Sequence, residues 1–290
     1  MSELYNGFRP ELKFFGTMNG NSSSHTNAFF CPDEETIVFI DLSALNMAKA
    51  DLVLTAMPNL KHFYACVTHT HFDHASGFGR IAFTVKTQHA GELLTVIADR
   101  TVSDEVVALF DSSGMRSLNA SMADEDKVYE LLSYDMYGRA YTFYDRHGKI
   151  LPKTVKPHWF VRTLPTKHSQ RVNTSGFVFF SHGKLVVYSG DTNDLTPYIS
   201  FLRLTVEEEL WGAEPPIEFY LDVATRKSEP HLNFLEIAEE LEEALKDYPT
   251  MTLILMHYDD KKALHEQAKA RLSEFYGKRL FIAEEAAYLP

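Results

Sequence analysis

The sequence predicts an α/β fold in which strands form sheets that outer helices cover, an αββα sandwich. Short apolar runs typical of strands alternate along the 290 residues with longer segments that carry an apolar stripe at helical spacing. Several of the strand-like runs are joined by turns short enough for hairpins. No low-complexity linker divides the chain, so we expect a single domain over residues 1–290.

The first part of the chain predicts paired strands. Leu12–Gly16, Asn27–Phe30 and Thr36–Asp41 are apolar runs rich in phenylalanine and β-branched residues. Between the first two lies Asn19–Thr26, a stretch of Asn, Gly and Ser that favours a turn. A fourth apolar run, His62–Val67, is a further strand that we expect to be buried.

The middle of the chain is predicted to be first helical and then strand-like. Helical patterns cover Ala90–Asp99 and Asp124–Leu132. Farther on, residues 141–144 and 149–151 are predicted strands, and Arg146-His147-Gly148 between them favours a hairpin turn.

The C-terminal half predicts another hairpin and a closing strand–helix–strand unit. Ser175–Phe180 and Leu185–Tyr188 are strands separated by a turn at His182-Gly183. Near the end, the patterns predict a strand over Met251–Met256, a helix over 263–276 and a strand over 279–282.

The clearest helix runs from Asn233 to Lys246. Asn233 is a good N-cap, and Glu236 three residues later completes a capping-box pattern. The apolar positions fall on one stripe, formed by Phe234, Ile237, Ala238, Leu241 and Leu245.

Composition narrows the class of protein and of partner. The chain is 45% apolar and 23% charged, as in soluble globular proteins, and no apolar run is long enough to span a bilayer. The N-terminus lacks the pattern of a secretory signal, and two cysteines do not form a disulfide framework, so we expect a cytoplasmic protein. A net charge of −12 argues against binding extended nucleic acid and favours a small-molecule substrate.

The segment Thr68–His74 contains a cluster of side chains that can bind metal ions. His69, His71, Asp73 and His74 are four metal-capable side chains within six positions, directly after a predicted strand. His69 and His71 are two positions apart, so they project to the same side of the strand end. Asp73 and His74 lie where the chain has turned and face a neighbouring point. Imidazole and carboxylate donors favour zinc, manganese or iron over calcium or magnesium. We therefore predict a site for two divalent metal ions, with zinc as the first choice and manganese or iron as alternatives.

This segment resembles the HxHxDH signature of the metallo-β-lactamase superfamily of hydrolases. The superfamily's later motifs match in order: a lone His168, Asp191 at the end of an apolar strand, and His257 after a C-terminal strand. The resemblance covers residues 12 to 260 and implies a four-layer αββα sandwich of the metallo-β-lactamase type.

The resemblance also implies how the ligands divide. His69, His71 and His168 would hold one ion, and Asp73, His74 and His257 the other. Asp191 would bridge the two ions, which would share an activated water. The implied activity is that of a dinuclear metal-dependent hydrolase, with Asp73 and His231 placed among the catalytic residues.

His231 links the chain to one branch of the superfamily. Its position between Asp191 and His257 resembles the ribonuclease Z branch and its phosphodiesterase relatives, in which an extra histidine donates a proton to the leaving oxygen. That branch carries a Glu that orients this histidine, and Val223 stands at the matching position here. The adjacent Asp222 could replace this Glu, but neighbouring strand residues face opposite ways, which argues against that replacement and against the acid role of His231.

The length of one segment bears on the substrate. Ribonuclease Z of bacteria carries an RNA-binding arm between the lone histidine and the bridging aspartate, but His168 and Asp191 are only 23 positions apart. The resemblance therefore favours arm-less phosphodiesterases that act on small cyclic nucleotides, with Lys167, Arg171 or Arg226 binding the anionic phosphate.

Other activities of the superfamily remain alternatives. Ester, lactone or thioester hydrolysis is the second interpretation. A tRNA 3′-processing ribonuclease, a single-iron sulfur dioxygenase and a non-enzymatic binding protein fit the motifs less well. Many relatives dimerise, so a homodimer is a further expectation.

Overall fold

The structure is a computed structural model, and it describes most of the 290 residues. The residues described are 12–89, 92–112, 129–134, 143–144, 150–151, 159–169, 172–181, 183–207, 215–227 and 230–286.

The first half of the chain builds a six-stranded sheet whose strands follow in chain order. The strands are β1 (Lys13–Gly16), β2 (Asn27–Asp33), β3 (Thr36–Ile40), β4 (His62–Val67), β5 (Leu94–Asp99) and β6 (Tyr129–Tyr134). Strands β1 to β3 form an antiparallel meander, and β3 to β6 run parallel. The paired strands predicted for the first part of the chain are confirmed.

The second half builds an eight-stranded sheet in the order β14-β13-β12-β11-β10-β9-β7-β8. Its strands are β7 (Phe143–Tyr144), β8 (Ile150–Leu151), β9 (Trp159–Ser169), β10 (Val172–Ser181), β11 (Lys184–Tyr188), β12 (Ile217–Asp222), β13 (Met251–Met256) and β14 (Leu280–Ile282). The predicted β10–β11 hairpin is confirmed, and β11 to β14 run parallel.

Helices cover the outer face of each sheet. They are α1 (Met47–Ala56), α2 (Phe72–Ala75), α3 (Phe78–Gln88), α4 (Arg100–Ser112), α5 (Thr196–Glu207), α6 (Phe234–Asp247) and α7 (Lys261–Arg271). In the described part of the chain, no helix has the length and apolar character needed to cross a membrane.

Three apolar cores show the layer order. One lies between the first sheet and α1, α3 and α4, and another between the second sheet and α5, α6 and α7. The third joins the two sheets, where the ring of Phe30 lies 4.8 Å from that of Phe179 and Phe14 lies 5.6 Å from Tyr220. The predicted four-layer αββα sandwich is confirmed.

Two of the predicted helices in the first half are wrong. Residues 94–99 form strand β5 with all six side chains buried, because a short apolar run fits a fully buried parallel strand as well as a helix. Residues 129–132 belong to β6, while residues 124–128 and the predicted turn at 146–148 lie outside the described residues.

Two C-terminal helices follow the prediction with small differences. Helix α6 begins after Asn233, whose side chain accepts hydrogen bonds from the backbone of Leu235 and Glu236. The Glu236 carboxylate does not return the bond to the cap but pairs with Lys227 at 2.9 Å. Helix α7 ends at Arg271, earlier than predicted, because the chain then enters tight turns.

The parallel strands place their carboxyl ends along one edge of the sandwich. Residues that follow β3 and β4 in the first sheet meet residues that follow or end β11, β12 and β13 in the second. Loops at the carboxyl ends of parallel strands are the usual position of functional side chains in α/β proteins.

Candidate metal centre

The loop after β4 contributes four of the predicted ligands. His69 is completely buried, and its Nε2 atom lies 2.9 Å from Nδ1 of His71, which is exposed at the surface. Helix α2 begins directly after His71, and this change of backbone direction separates Asp73 and His74 from the first two histidines. One loop therefore contributes donor atoms to two neighbouring groups.

The first group of donors brings both halves of the chain together. His69, His71, His168 and Asp191 each offer one ligand atom, and these four atoms lie within 4.8 Å of one another. His168, near the end of β9, has its Nδ1 atom 2.8 Å from the carbonyl oxygen of Pro230. This contact leaves its Nε2 atom facing the group, 3.7 Å from Oδ2 of Asp191.

The second group contains Asp73, His74 and His257. The Nε2 atom of His74 lies 3.3 Å from Oδ2 of Asp73 and 3.3 Å from Oδ1 of Asp191. Nε2 of His257, the residue that follows β13 by one position, lies 3.6 Å from Oδ2 of Asp73. Helix α2 and the second sheet thus meet at this point.

Asp191 lies between the two groups. Its Oδ2 atom faces His69 and His168, while its Oδ1 atom faces His74 and His257 at 3.3 and 3.4 Å. The residue is 3% exposed, so these contacts are shielded from water. A carboxylate with one oxygen toward each group has the geometry of a bridge.

The chemistry of the cluster suits divalent cations. Nε2 of His74, Nε2 of His257 and Oδ1 of Asp191 are buried, and none of them has a hydrogen-bond partner among the described residues. Buried polar atoms without a partner are costly, and a cation bound among them would remove that cost. The residues present therefore fit metal ions in both groups.

The electrostatics of the cluster support the same conclusion. Burial disfavours a charged His257, but the carboxylates of Asp191, Asp222 and Asp73 outweigh it and raise its pKa to about 10. His74 behaves alike, because Asp191 and Asp41 raise its pKa well above the usual range despite burial. Carboxylates that stabilise a proton so strongly would also stabilise a metal cation in its place.

Asp41 contacts the site, although the sequence had not led us to assign it a role there. It follows β3, is fully buried and has a positive φ of 53°. Its carboxylate accepts hydrogen bonds from the backbone and hydroxyl of Thr68 and lies 2.8 Å from Nδ1 of His74. Asp41 thus turns Nε2 of His74 toward the cluster. Its position at the end of a parallel strand beside β4 was the available signal.

The structure corrects the expectation for Asp222. Its Oδ2 atom lies 2.8 Å from Nδ1 of His231, and its Oδ1 atom lies 3.2 Å from Nδ1 of His257. Val223 instead joins the apolar core beneath the second sheet. Adjacent strand residues do face opposite ways, but it is the aspartate that faces the site and the valine that faces away.

His231 lies beside both groups of donors. Its ring centroid is 5.0 Å from that of His168 and 5.1 Å from that of His257. Burial disfavours its protonated form, but the charge of Asp222 and the hydrogen bond to it outweigh burial and raise the pKa of His231.

The two predicted phosphate-binding cations that the structure describes, Lys167 and Arg226, are exposed at the surface. Lys167 is 79% exposed in its side chain and lies 4.0 Å from Asp194. Arg226 is exposed in the turn after β12, and Arg171 lies outside the described residues. Their role in substrate binding stays a prediction.

Two sheets packed between outer helices, with a His/Asp cluster at the carboxyl ends of their parallel strands, define a metallo-β-lactamase fold protein. The predicted metallo-β-lactamase fold is confirmed. The chain belongs to the family described as anti-Pycsar protein Apyc1, whose model matches residues 11–280. None of the curated protein sequences matches this chain.

Solved structures show the same fold at low sequence identity. YhfI from Bacillus subtilis, described as a metallo-β-lactamase fold protein, is 14% identical with a TM-score of 0.62, over 95% of this chain and 96% of its own. Unliganded yeast PDE1 is 13% identical with a TM-score of 0.61, over 94% and 97%. The short form of human tRNase Z is 14% identical with a TM-score of 0.58, over 94% and 96%.

Proposed function

We propose that the chain is a dinuclear metal-dependent phosphodiesterase that hydrolyses a small cyclic nucleotide. The observation that supports this most directly is Asp191, whose two carboxylate oxygens face separate groups of His and Asp donors. The family to which the chain belongs suggests degradation of a cyclic nucleotide. His231, which lies beside the cluster, can donate a proton to an alkoxide leaving group.

Each donor group has a role in this proposal. The first ion would be held by His69, His71, His168 and one oxygen of Asp191. The second would be held by Asp73, His74, His257 and the other oxygen of Asp191. When bound, divalent cations lower the pKa of a water molecule and polarise a phosphoryl oxygen. Nitrogen and oxygen donors in this mixture suit zinc, manganese or iron.

The chain's own residues supply the proton. The water loses one proton to solvent and its oxygen bonds to phosphorus, while the bond from phosphorus to the ribose oxygen breaks and leaves negative charge on that oxygen. The Nδ1 atom of His231 is engaged by Asp222, so its Nε2 atom is the one that donates a proton to the departing oxygen. The product is a nucleoside monophosphate.

The size and charge of the protein favour a small substrate. Between His168 and Asp191 the described chain consists of the end of β9 and the β10–β11 hairpin. The described residues of this segment form no arm. The net charge of −12 disfavours an extended polyanion. A homodimer and a cytoplasmic location stay predictions.

Metal analysis and a substrate panel test the proposal. We expect the purified protein to carry about two divalent ions per chain by mass spectrometry. We expect it to hydrolyse 3′,5′-cyclic nucleotides and bis-p-nitrophenyl phosphate, but neither a lactone nor a thioester. His69→Ala and Asp191→Ala should each abolish turnover, whereas His62→Ala, at the start of β4, should retain it.

Two outcomes would contradict the proposal in different ways. Turnover of the lactone or thioester alone would support the second interpretation. Retained phosphodiester hydrolysis in Asp191→Ala would remove the two-metal scheme, because no other carboxylate faces both donor groups within the described residues.

A further inference from the structure

Thr70 is the residue between the ligands His69 and His71, and its side chain is held from outside the loop. Its Oγ1 atom donates a hydrogen bond of 2.8 Å to Oε2 of Glu105, 35 positions later on helix α4. Both side chains are partly buried. The spacing of two proposed ligands therefore depends on a residue that lies on the helix beside the loop.

The other oxygen of the same carboxylate contacts the second sheet. The Nδ2 atom of Asn173 on β10 lies 3.5 Å from Oε1 of Glu105. The next residue, Thr174, donates its hydroxyl to the backbone carbonyl of Asp191 at 3.3 Å. Glu105 thus joins the loop of His69 and His71 to the strand that supports the bridging aspartate.

Helix α4 is well anchored for this role. Asp99, just before the helix, accepts hydrogen bonds from the backbone and hydroxyl of Thr101 and a 2.7 Å bond from Thr163 on β9. Val102 and Val106 pack into the core beneath the first sheet. Glu105 therefore projects from a helix that is fixed to both sheets.

We propose that Glu105, acting through Thr70, is a positioning residue for the first metal ion. It restrains the backbone between His69 and His71, so that their imidazoles already converge with His168 before a cation binds. Outer residues that fix the orientation of ligands commonly affect metal affinity by about 10- to 100-fold. This inference rests on the metal sites in the proposed function, but it does not depend on the substrate.

A cobalt titration of the metal-free protein tests this assignment. The absorption of Co²⁺ in the visible range reports its binding, and the variants His168→Ala and His257→Ala assign the bands of the first and second sites. In Glu105→Ala and in Thr70→Val, which removes only the hydroxyl, we expect affinity at the first site to fall about 10- to 100-fold. Affinity at the second site should stay within about threefold of the parent.

Matched variants separate positioning from general stability. Thr70→Ser keeps the hydroxyl donor, so it should restore most of the affinity. The double variant Glu105→Ala/Thr70→Val should bind no more weakly than Glu105→Ala alone, because that variant already removes the contact with Thr70. Glu242→Ala, which removes a carboxylate that pairs with Lys246 on the surface of α6, should match the parent.

Three results would overturn the inference. They are parent-like affinity in Glu105→Ala, equal losses at both sites together with a lower melting temperature, and no binding of Co²⁺ by the parent. Cobalt binding that follows the expected pattern without any phosphodiester hydrolysis would instead support this inference while contradicting the proposed substrate class.

Discussion

The Nδ1 atom of His231 lies 2.8 Å from Oδ2 of Asp222. The other oxygen of this buried carboxylate lies 3.2 Å from Nδ1 of His257. A third contact, a 2.9 Å hydrogen bond from the backbone of Thr192, holds the carboxylate in place. One side chain therefore orients both the proposed acid and a proposed ligand, and in each ring it engages Nδ1 rather than Nε2.

The first prediction concerns the proton that His231 supplies. His231→Ala should reduce kcat on a cyclic nucleotide by about 10²- to 10⁴-fold, because an alkoxide is a poor leaving group that needs an acid. The same variant should reduce kcat on bis-p-nitrophenyl phosphate far less, because nitrophenolate leaves readily without a proton. Steady-state kinetics on both substrates measure the difference, and equal losses would rule out the acid role.

The second prediction concerns Asp222. An amide at this position can accept a hydrogen bond with only one of its two polar atoms, so Asp222→Asn should lose the correct orientation of His231 or His257. We expect a loss of about 10- to 100-fold in kcat/KM together with weaker metal binding. Val223→Ala is the control: it should lower the melting temperature through lost packing, yet retain metal affinity. Wild-type metal affinity and activity in Asp222→Asn would contradict the shared role.

These two neighbouring positions show where sequence reasoning reached its limit. The alternation of strand faces was the right principle, but it could not say which of Asp222 and Val223 faced the site. That choice depends on the register of β12 between β11 and β13, which is set by contacts distant in sequence. The seven predicted ligands, by contrast, could be identified from short sequence motifs, and the structure brings all seven together.

The fold shows a similar division. Helix α6 was predictable because its cap and its apolar stripe agree. Residues 94–99 were not, because a fully buried parallel strand has no alternation that would distinguish it from a buried helix. Asp41 was missed because its positive φ and its contact with His74 arise only when β3 and β4 lie side by side.

The third prediction concerns Gly190, which directly precedes Asp191. Its φ is +60°, and a Cβ atom there would lie 2.8 Å from the side chain of Thr68. Gly190→Ala should therefore combine backbone strain with a steric clash, at a cost of at least about 2 kcal/mol in the free energy of unfolding. Because the clash falls between Asp191 and the loop of His69, metal affinity should fall as well.

Gly183 provides the matched control for this variant. Its φ is +77°, but a Cβ atom there would have nothing within 4 Å. Gly183→Ala should show only the strain, about 1–2 kcal/mol, with metal affinity unchanged. Chemical denaturation and metal titration of the two variants separate the effect of backbone strain from that of the steric clash. If Gly190→Ala binds metal as tightly as Gly183→Ala does, the proposed clash does not displace Asp191.

The last prediction concerns stability away from the site. Arg279 donates hydrogen bonds to the carbonyls of Leu245, Tyr248 and Pro249 at 2.6 to 3.2 Å, and its guanidinium lies 5.0 Å from the ring centroid of Phe275. It thereby satisfies carbonyl groups at the C-terminus of α6, which have no partner within the helix.

Arg279→Ala should lower the free energy of unfolding by about 2–4 kcal/mol, since several charge-assisted hydrogen bonds and the ring contact are lost together. Arg279→Lys should recover only part of this, because an ammonium group cannot reach the same carbonyls with a planar fork. Lys278→Ala, at the exposed neighbouring position, should have little effect. Urea denaturation measures all three. Turnover should be unchanged, because α6 ends near the amino end of β13, whereas His257 follows the carboxyl end of that strand. An equal stability of the alanine and lysine variants would show that the geometry of the guanidinium is not what stabilises the end of α6.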